Sequence, residues 1–250
     1  MKNHKDGRRV LQFFAVAIAQ QAKSHDYGYK FNGERMERQN IMLPVNAKGK
    51  PDYAFMEAYI RECENALLAR YSAFVKSRTI PCMGGGKAFS AVCWKAFSVG
   101  EIFKNYHGVR LTKANRKIGN LPLLTAGAAN NGIAEFISTN TMPLHSHFIS
   151  VDMFGTSFVH PYTATGDDNI YFFENPNLSD AVKHFISVCI NKQAIKYSYG
   201  KQFRQSNADR LKVMLPATSD GSPDFAYMEA YGRKIVHECL AKYLAYRAAV

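Results

Sequence analysis

Between Asp52 and Val75 the apolar residues Met56, Tyr59, Cys63, Leu67, Tyr71 and Phe74 recur at steps of three or four. That spacing predicts one amphipathic helix of about 25 residues, roughly 37 Å long at 1.5 Å per residue. Pro51 suits its entrance, and Asp52 is a good cap for the first amides. Far downstream, Met228, Tyr231, Ile235, Cys239 (or Leu240) and Tyr243 draw the same stripe behind Pro223 and Asp224. Glu57, Arg61 and Glu64 flank the first stripe, and Glu229, Arg233 and Glu238 the second, as solvated faces. Two such helices are expected to bury their seams on each other; the alternative is that each covers its own domain. Elsewhere Ala181–Ile195 reads as a shorter helix with Val182, Phe185, Ile186, Cys189 and Ile190 on one face, capped by Ser179 or Asp180. "NLPLLTA", "IAEFIS", "HFISVD", "TSFVHP", "NIYFFE" (Asn169–Glu174) and "RLKVMLP" (Arg210–Pro216) read as strands separated by glycine and asparagine turns. The pattern is an α+β domain, a sheet with packed helices.

The likeness of the two long helices extends upstream. Placing Asp52 on Asp224 aligns Val10–Val75 with Val182–Arg247 without a gap, and 26 of the 66 positions are identical. They include "PDYAFMEAY" against "PDFAYMEAY", Phe13/Phe185, Tyr27/Tyr199, Gly28/Gly200, Phe31/Phe203, Arg38/Arg210 and "MLP" against "MLP". A repeat of this length is a duplicated structural unit. Residues 79–181 have no counterpart upstream, so the chain reads as one full unit preceded by the tail of another. The repeat also bears on the apolar run Val10–Ala19. Its partner "AVKHFISVCINKQ" lies deep in the chain, so the run is expected to be a fold element rather than a signal peptide.

Composition adds a partner class. The net charge is +12 and the pI about 9.5, which favours a polyanion, with nucleic acid ahead of an anionic membrane. Apolar residues make up 47% of the chain, enough for a real core. The five cysteines (Cys63, Cys82, Cys93, Cys189, Cys239) lack CxxC spacing. Cys63, Cys189 and Cys239 fall on apolar helix faces, which suits a reducing cytoplasm. No apolar run is long enough to span a membrane.

Catalytic patterns are weak. An Asn-Pro-Pro-aromatic methyltransferase motif is absent, and Asn175–Pro176 is followed by Asn177. No acid-x-lysine triplet supplies a nuclease site. "CMGGGK" (Cys82–Lys87) lacks the first glycine of a phosphate loop, where Pro81 stands, and its Ser/Thr, where Ala88 stands; it reads as linker. His145 and His147 would share one face of a strand, with no further metal ligand nearby.

The order of segments is specific: "WKAFSVGEIF", a strand block with "LPLLTAGAANNGI", "VHPYTATGDDNIYFFE", a helix, "YSYGKQF", "RLKVMLP", then a long helix opening "PDFAYMEAY". It resembles one half of the specificity subunit of type I restriction–modification systems and of related type II restriction–methylation enzymes. The resemblance implies a target recognition domain with a mixed sheet at 94–222, followed by a spacer helix at 223–250. Residues 1–51 would be the back end of a first recognition domain, 52–78 its spacer helix and 79–93 a linker. The first half lacks the "W…GEIF" opening and the strand block. The spacer helices would form an antiparallel coiled-coil-like pair, with Met56, Tyr59, Cys63, Leu67, Met228, Tyr231 and Ile235 at the interface.

The resemblance further implies a non-catalytic reader of double-stranded DNA in a bacterial or archaeal cytoplasm. Methyltransferase subunits would dock on it and carry S-adenosylmethionine, and a restriction subunit could join them. This chain itself would bind no cofactor and no metal. A homodimer or a complementing specificity fragment would make good the incomplete half. The alternative is a split fragment that assembles without reading DNA. Phosphates call for Lys and Arg, and base edges for Asn, Gln or Arg. The candidates are Arg110, Lys113, Asn115, Arg116 and Lys117 in "RLTKANRKIGN", and Lys201, Gln202, Arg204, Gln205 and Asn207 in "GKQFRQSN". One or more of Asn115, Arg116, Arg204 and Asn207 is expected to read bases. In the first copy Lys30 and Arg35 remain while Asn32 replaces Arg204, a divergence that suits two different half-sites or ordinary loop drift. Asn130 in "ANNGI" suits a hairpin turn and could also reach a base.

Overall fold

A computed structural model describes residues 7–20, 32–77 and 91–248. The chain divides into two compact units, residues 1–80 and 81–250.

The first unit is helical. Arg8–Ala19 (α1) packs along Tyr53–Ser77 (α3), and the short Gly33–Arg38 (α2) lies between them in sequence. Val10 and Met56 are buried. Phe13 meets Tyr59 edge to face at 5.9 Å, and Phe14 leans on Tyr53. Arg9 Nε donates to Glu64 at 3.0 Å. The predicted entrance to α3 is built as expected: Asp52 Oδ1 accepts from the amide of Phe55 at 3.0 Å.

The second unit opens with Trp94–Ser98 (β1), Val99–Ile102 (α4) and Lys104–His107 (β2), elements that the polar-rich sequence did not announce. Lys117–Leu124 (β3), Ile133–Ser138 (β4), His145–Asp152 (β5), Ser157–Gly166 (β6) and Ile170–Glu174 (β7) follow as predicted, with β6 longer than expected. They form a six-stranded sheet in the order β2-β7-β5-β6-β3-β4. Its pairs are antiparallel except β3 with β6, so the sheet is mixed, as the resemblance implied. Asp180–Asn191 (α5) packs on β5 and β6. Ser179 is its cap, accepting from the amide of Val182, and the helix stops before the predicted Ile195, giving way to a 3-10 turn at Ala194–Lys196. Gln205–Ala208 (α6) leads to Lys212–Pro216 (β8), which pairs with β1 in a separate two-stranded sheet. Phe225–Ala248 (α7) closes the unit. Ile149, Val151, Phe173, Ile186, Val213, Leu215 and Met228 share one buried core.

The sequence repeat is a structural repeat. α1, α2 and α3 correspond to α5, α6 and α7, and the details correspond as well. Val45 bridges Pro51 as Ala217 bridges Pro223. The amide of Asp52 donates to Pro44 O at 2.9 Å, and that of Asp224 to Pro216 O at 2.8 Å. Asp224 caps Tyr227 as Asp52 caps Phe55. Phe185 meets Tyr231 edge to face at 5.7 Å, matching Phe13 and Tyr59. Arg61–Glu57 and Arg233–Glu229 are the same i,i+4 ion pair.

Three expectations are corrected here. Met56 and Met228, assigned to a seam between long helices, are fully buried near the start of their helices, and Met228 belongs to the core of the second unit. Each helix buries its first turns against its own unit. Cys239 is exposed rather than packed on an apolar face. His145 and His147 do not share a face, because β5 carries a bulge between Ser146 and Phe148 and His147 adopts φ 52°. His145 is buried, stacked on Phe172 at 3.9 Å and bonded to Glu174 at 2.7 Å, while His147 is turned out 3.8 Å from Asp180. Gly84–Gly86 and the rest of 78–90 lie outside the described residues.

Two predictions concern the core. Met228→Ala leaves a cavity among fully buried neighbours and lowers unfolding stability by about 2–5 kcal/mol in denaturant titration. Tyr243→Ala, at a site 38% exposed on the same helix, changes it far less. The second concerns His160, fully buried between Ser150 Oγ at 2.8 Å and Tyr162 at 3.0 Å. Burial lowers its pKa to about 4. The unfolded chain, with a histidine near its ordinary value, takes up the proton first as pH falls. Its contribution is therefore intact above pH ~6.5 and lost between ~6.5 and ~4, on the order of 3 kcal/mol. The His160→Gln variant has a shallower stability decline over that window, measured by melting at fixed ionic strength.

Candidate nucleic-acid interface

The two basic segments named from sequence lie some ninety residues apart in the chain, and β2 joins them. Gln205, in α6, donates through Nε2 to Asn105 Oδ1 at 2.6 Å, on β2. Three residues past the end of β2, Arg110 reaches Asp168 at 3.4 Å, and His107 Nε2 donates to Asp168 O at 2.8 Å. Gly108 makes this turn possible. A Cβ there would sit 2.0 Å from Asp167 O, and the glycine amide donates to Ile170 O at 2.9 Å. Between the two segments lies Tyr171, stacked under His107 at 4.6 Å and held edge-on by Phe203 at 5.2 Å. Burial raises the Tyr171 phenol; Arg204, which hydrogen-bonds it, acts in the opposite sense. Strand β2, the turn after it as far as Arg110, and loop 198–207 thus form one surface at the β2 edge of the sheet, from which residues 111–116 run across to β3 and β4.

On it the candidates separate into solvent-facing and structural. Lys113 and Asn115, in the 3-10 turn Lys113–Asn115, and Lys117 at the start of β3 are exposed. Lys201 is exposed on the tight turn where Ser198 and Lys201 bridge. Among the described residues, none of these three lysines has an ion-pair partner. Arg110 is 75% exposed at its side chain despite Asp168.

Arg116 differs from its expected base-reading role. Its Nε and Nη2 donate to Leu111 O at 3.4 and 3.3 Å, closing loop 108–116 on itself, and its Nη1 donates to Glu135 at 3.0 Å, tying that loop to β4. The carboxyl of Asp167 is held above its ordinary value by burial, against the pull of Arg116. Asn207 is likewise structural, its Oδ1 accepting from the Arg204 amide at 2.8 Å to close the first turn of α6. Gln205 is occupied by Asn105 and by Asp209 at 2.9 Å, and Arg204 by Gln202 and Tyr171.

The divergence between the repeats at this point has a structural cause. In the first unit Asn32 Oδ1 accepts from the Arg35 amide at 3.0 Å, the same turn closed from its other end. Asn and Arg have changed places, and the cap has changed direction with them. Lys30 lies outside the described residues. Asn130 occupies the predicted turn, with Asn130 and Asn131 at φ 49° and 53° between β3 and β4. That turn is at the end of the β3–β4 ribbon remote from Lys117, so Asn130 does not join the lysine.

Two features escaped the sequence reading, β2 and the Tyr171–His107 stack. Alternation over four residues in "KNYH" is too short a signal, and Tyr171 looked like one aromatic among several in a buried strand. Among the described residues no group of three or more His, Cys, Asp or Glu side chains could hold a metal, and no helix is long and apolar enough to cross a membrane.

Residues 92–242 match the model of the type I restriction modification DNA specificity domain. The chain is 30% identical over 244 residues to the specificity subunit of the type II restriction enzyme BcgI of Heyndrickxia coagulans, across 94% of this chain and 69% of that one. Among solved structures it is similar to a type I restriction–modification S subunit from M. genitalium, with a TM-score of 0.46 at 13% identity over 96% of this chain and 69% of the other. It is also similar to the HsdS subunit of Thermoanaerobacter tengcongensis, with a TM-score of 0.44 at 10% identity over 92% and 61%. With the family model spanning more than half its length, this chain belongs to the type I restriction–modification DNA specificity family.

Proposed function

We propose that the second unit reads one half of a split duplex DNA site through the surface bordered by loop 108–116, β2 and loop 198–207. The observation that carries this is that the Gln205–Asn105 bond and the Arg204–Tyr171 contact hold the second basic segment against β2, the strand that leads into the first. Lys113, Lys117 and Lys201 neutralise phosphates, with Arg110 at the margin. Asn115, exposed in a turn among them, offers an amide to base edges, the group best suited to adenine. Arg116, Arg204, Gln205 and Asn207 hold the two loops in place. The chain carries no catalytic step. Methyltransferase subunits supply S-adenosylmethionine and the chemistry, a restriction subunit can join them, and the complex works in the cytoplasm.

The long helices are the assembly elements. Tyr59 and Leu67 on α3, and Ile235, Tyr243 and Leu244 on α7, are exposed apolar side chains. They support pairing of the helices and docking of methyltransferase subunits along them. Cys63 and Tyr231 are half-buried on the same helices, Tyr231 stacked with Tyr227.

Binding of the chain, with its methyltransferase, to a randomised duplex library at two salt concentrations tests the reading. Lys113→Ala and Lys201→Ala each weaken all sequences alike and make the salt slope shallower by about one. Asn115→Ala costs about 1–3 kcal/mol on the preferred site only and relaxes choice at one position. Arg116→Ala lowers the melting temperature and weakens every sequence. Unchanged salt slopes for both lysine variants would place the DNA surface elsewhere. For the helices, Leu67→Lys and Ile235→Lys abolish assembly in size-exclusion chromatography while leaving the melting temperature of the chain unchanged.

A further inference from the structure

Turn 198–201 holds a bare aromatic ring on the proposed DNA surface. Ser198 and Lys201 exchange both backbone hydrogen bonds, at 3.0 and 3.1 Å, which leaves Tyr199 and Gly200 at the tip. The residues on either side are clamped to the fold. Tyr197 meets Phe203 edge to face at 5.2 Å, and it lies so close over Gly155 that a Cβ there would stand 2.6 Å from its ring. Phe203 is buried against Tyr171, and its amide donates to Met153 O at 2.8 Å. The Tyr199 ring, at the end of this fixed mount, is 82% exposed.

The repeat shows that packing is not what keeps the ring. Positions 195–202 align with 23–30, and of these eight only Tyr199 and Gly200 are the same in both copies, as Tyr27 and Gly28. Tyr27 and Gly28 lie outside the described residues. Ile195, still more exposed at 93%, is replaced by Lys23. Exposed apolar residues of this stretch therefore drift, and Tyr199 has not. Gly200 is an independent sign. Its φ lies outside the left-handed region, and a Cβ there would meet nothing within 4 Å. Among the described residues nothing requires glycine at this position. A glycine kept beside a bare ring fits the close approach of another molecule. Charge identifies that molecule as a polyanion: between 192 and 207 stand Lys192, Lys196, Lys201 and Arg204, all exposed, and no Asp or Glu.

We propose that Tyr199 enters the bound duplex and stacks on a base at a step that it opens. Gly200 lets the backbone come close, and Lys196 and Lys201 hold phosphates on either side. Stacking suits a residue that stays the same while its neighbours change, because every base offers a π-face. A ring driven into a step also kinks the duplex, and only a rigid mount can keep the step open. The inference rests on the DNA surface proposed above and adds to it a contact that does not depend on sequence.

The probe is a duplex carrying the site selected from the randomised library, with a donor and an acceptor dye at its two ends, bound by the chain with its methyltransferase. The unaltered chain and Tyr199→Phe bend it and draw the dyes together. Tyr199→Ala binds at least fivefold more weakly, keeps the salt slope and loses the bend. Gly200→Ala also weakens binding, although its melting temperature is not lowered. Three results overturn the proposal: a bend that Tyr199→Ala retains in full; Tyr199→Phe as damaging as Tyr199→Ala, which means a hydrogen bond from the phenol; or loss of the methyltransferase by Tyr199→Ala in size-exclusion chromatography without DNA, which means a protein contact. Lys201→Ala separates this failure from that of the surface. If it makes the salt slope shallower while Tyr199→Ala changes nothing, the insertion falls and the DNA surface stands. If it too changes nothing, both fall.

Discussion

The pairing of Trp94–Ser98 with Lys212–Pro216 is the constraint on which the second unit depends. It joins residues at the two ends of the recognition domain, so the loop between them closes at an entropic cost that one short ladder could not offset. Burial makes up the difference. Immediately after β1 the chain drives Val99 and Phe103 into the core formed by Ile186, Leu211, Val213 and Met228. Phe103 meets Phe173 edge to face, which places β2 beside β7. With β2 placed, Asn105 is available to Gln205, and the turn after β2 directs Arg110 to Asp168. The proposed DNA surface is thus a consequence of where a strand remote from it is anchored.

Much of this was legible in the residues. Period-two and helical stripes marked β3 to β8, α5 and both long helices, and Pro-Asp marked both long-helix entrances, because those signals are local. The segments that joined them were not legible. β1, α4 and β2 are short, polar on one side and held by partners more than sixty residues away, so nothing in their own windows marks them as strands. His147 failed for a related reason. Alternation assumes an unbroken pleat, and one bulge reverses every direction beyond it.

Within the two basic segments, residue type did not tell solvent-facing side chains from structural ones. Lysines in turns stayed in solvent, where a long cation is cheapest. The planar, many-donor guanidinium of Arg116 instead satisfied two loop carbonyl contacts and a carboxylate, a task for which sequence gives no sign. Met228 shows the same limit in the helices. A stripe identifies which side of a helix is apolar, and neighbours decide whether each part of it is core or surface.

The inverted cap at Asn32–Arg35 and Arg204–Asn207 has a consequence for how such duplicated chains are compared. Column by column, the two copies differ at two positions, and both differences look like tuning for separate targets. Physically they are one event, an amide side chain moved from one end of a helical turn to the other. The two positions are therefore coupled. Losing the amide side chain at Asn32 or at Asn207 alone leaves the turn without that cap, and an amide placed at the other end of the same turn restores one. Divergence between the halves of a recognition protein measures specificity only after such compensating pairs have been set aside.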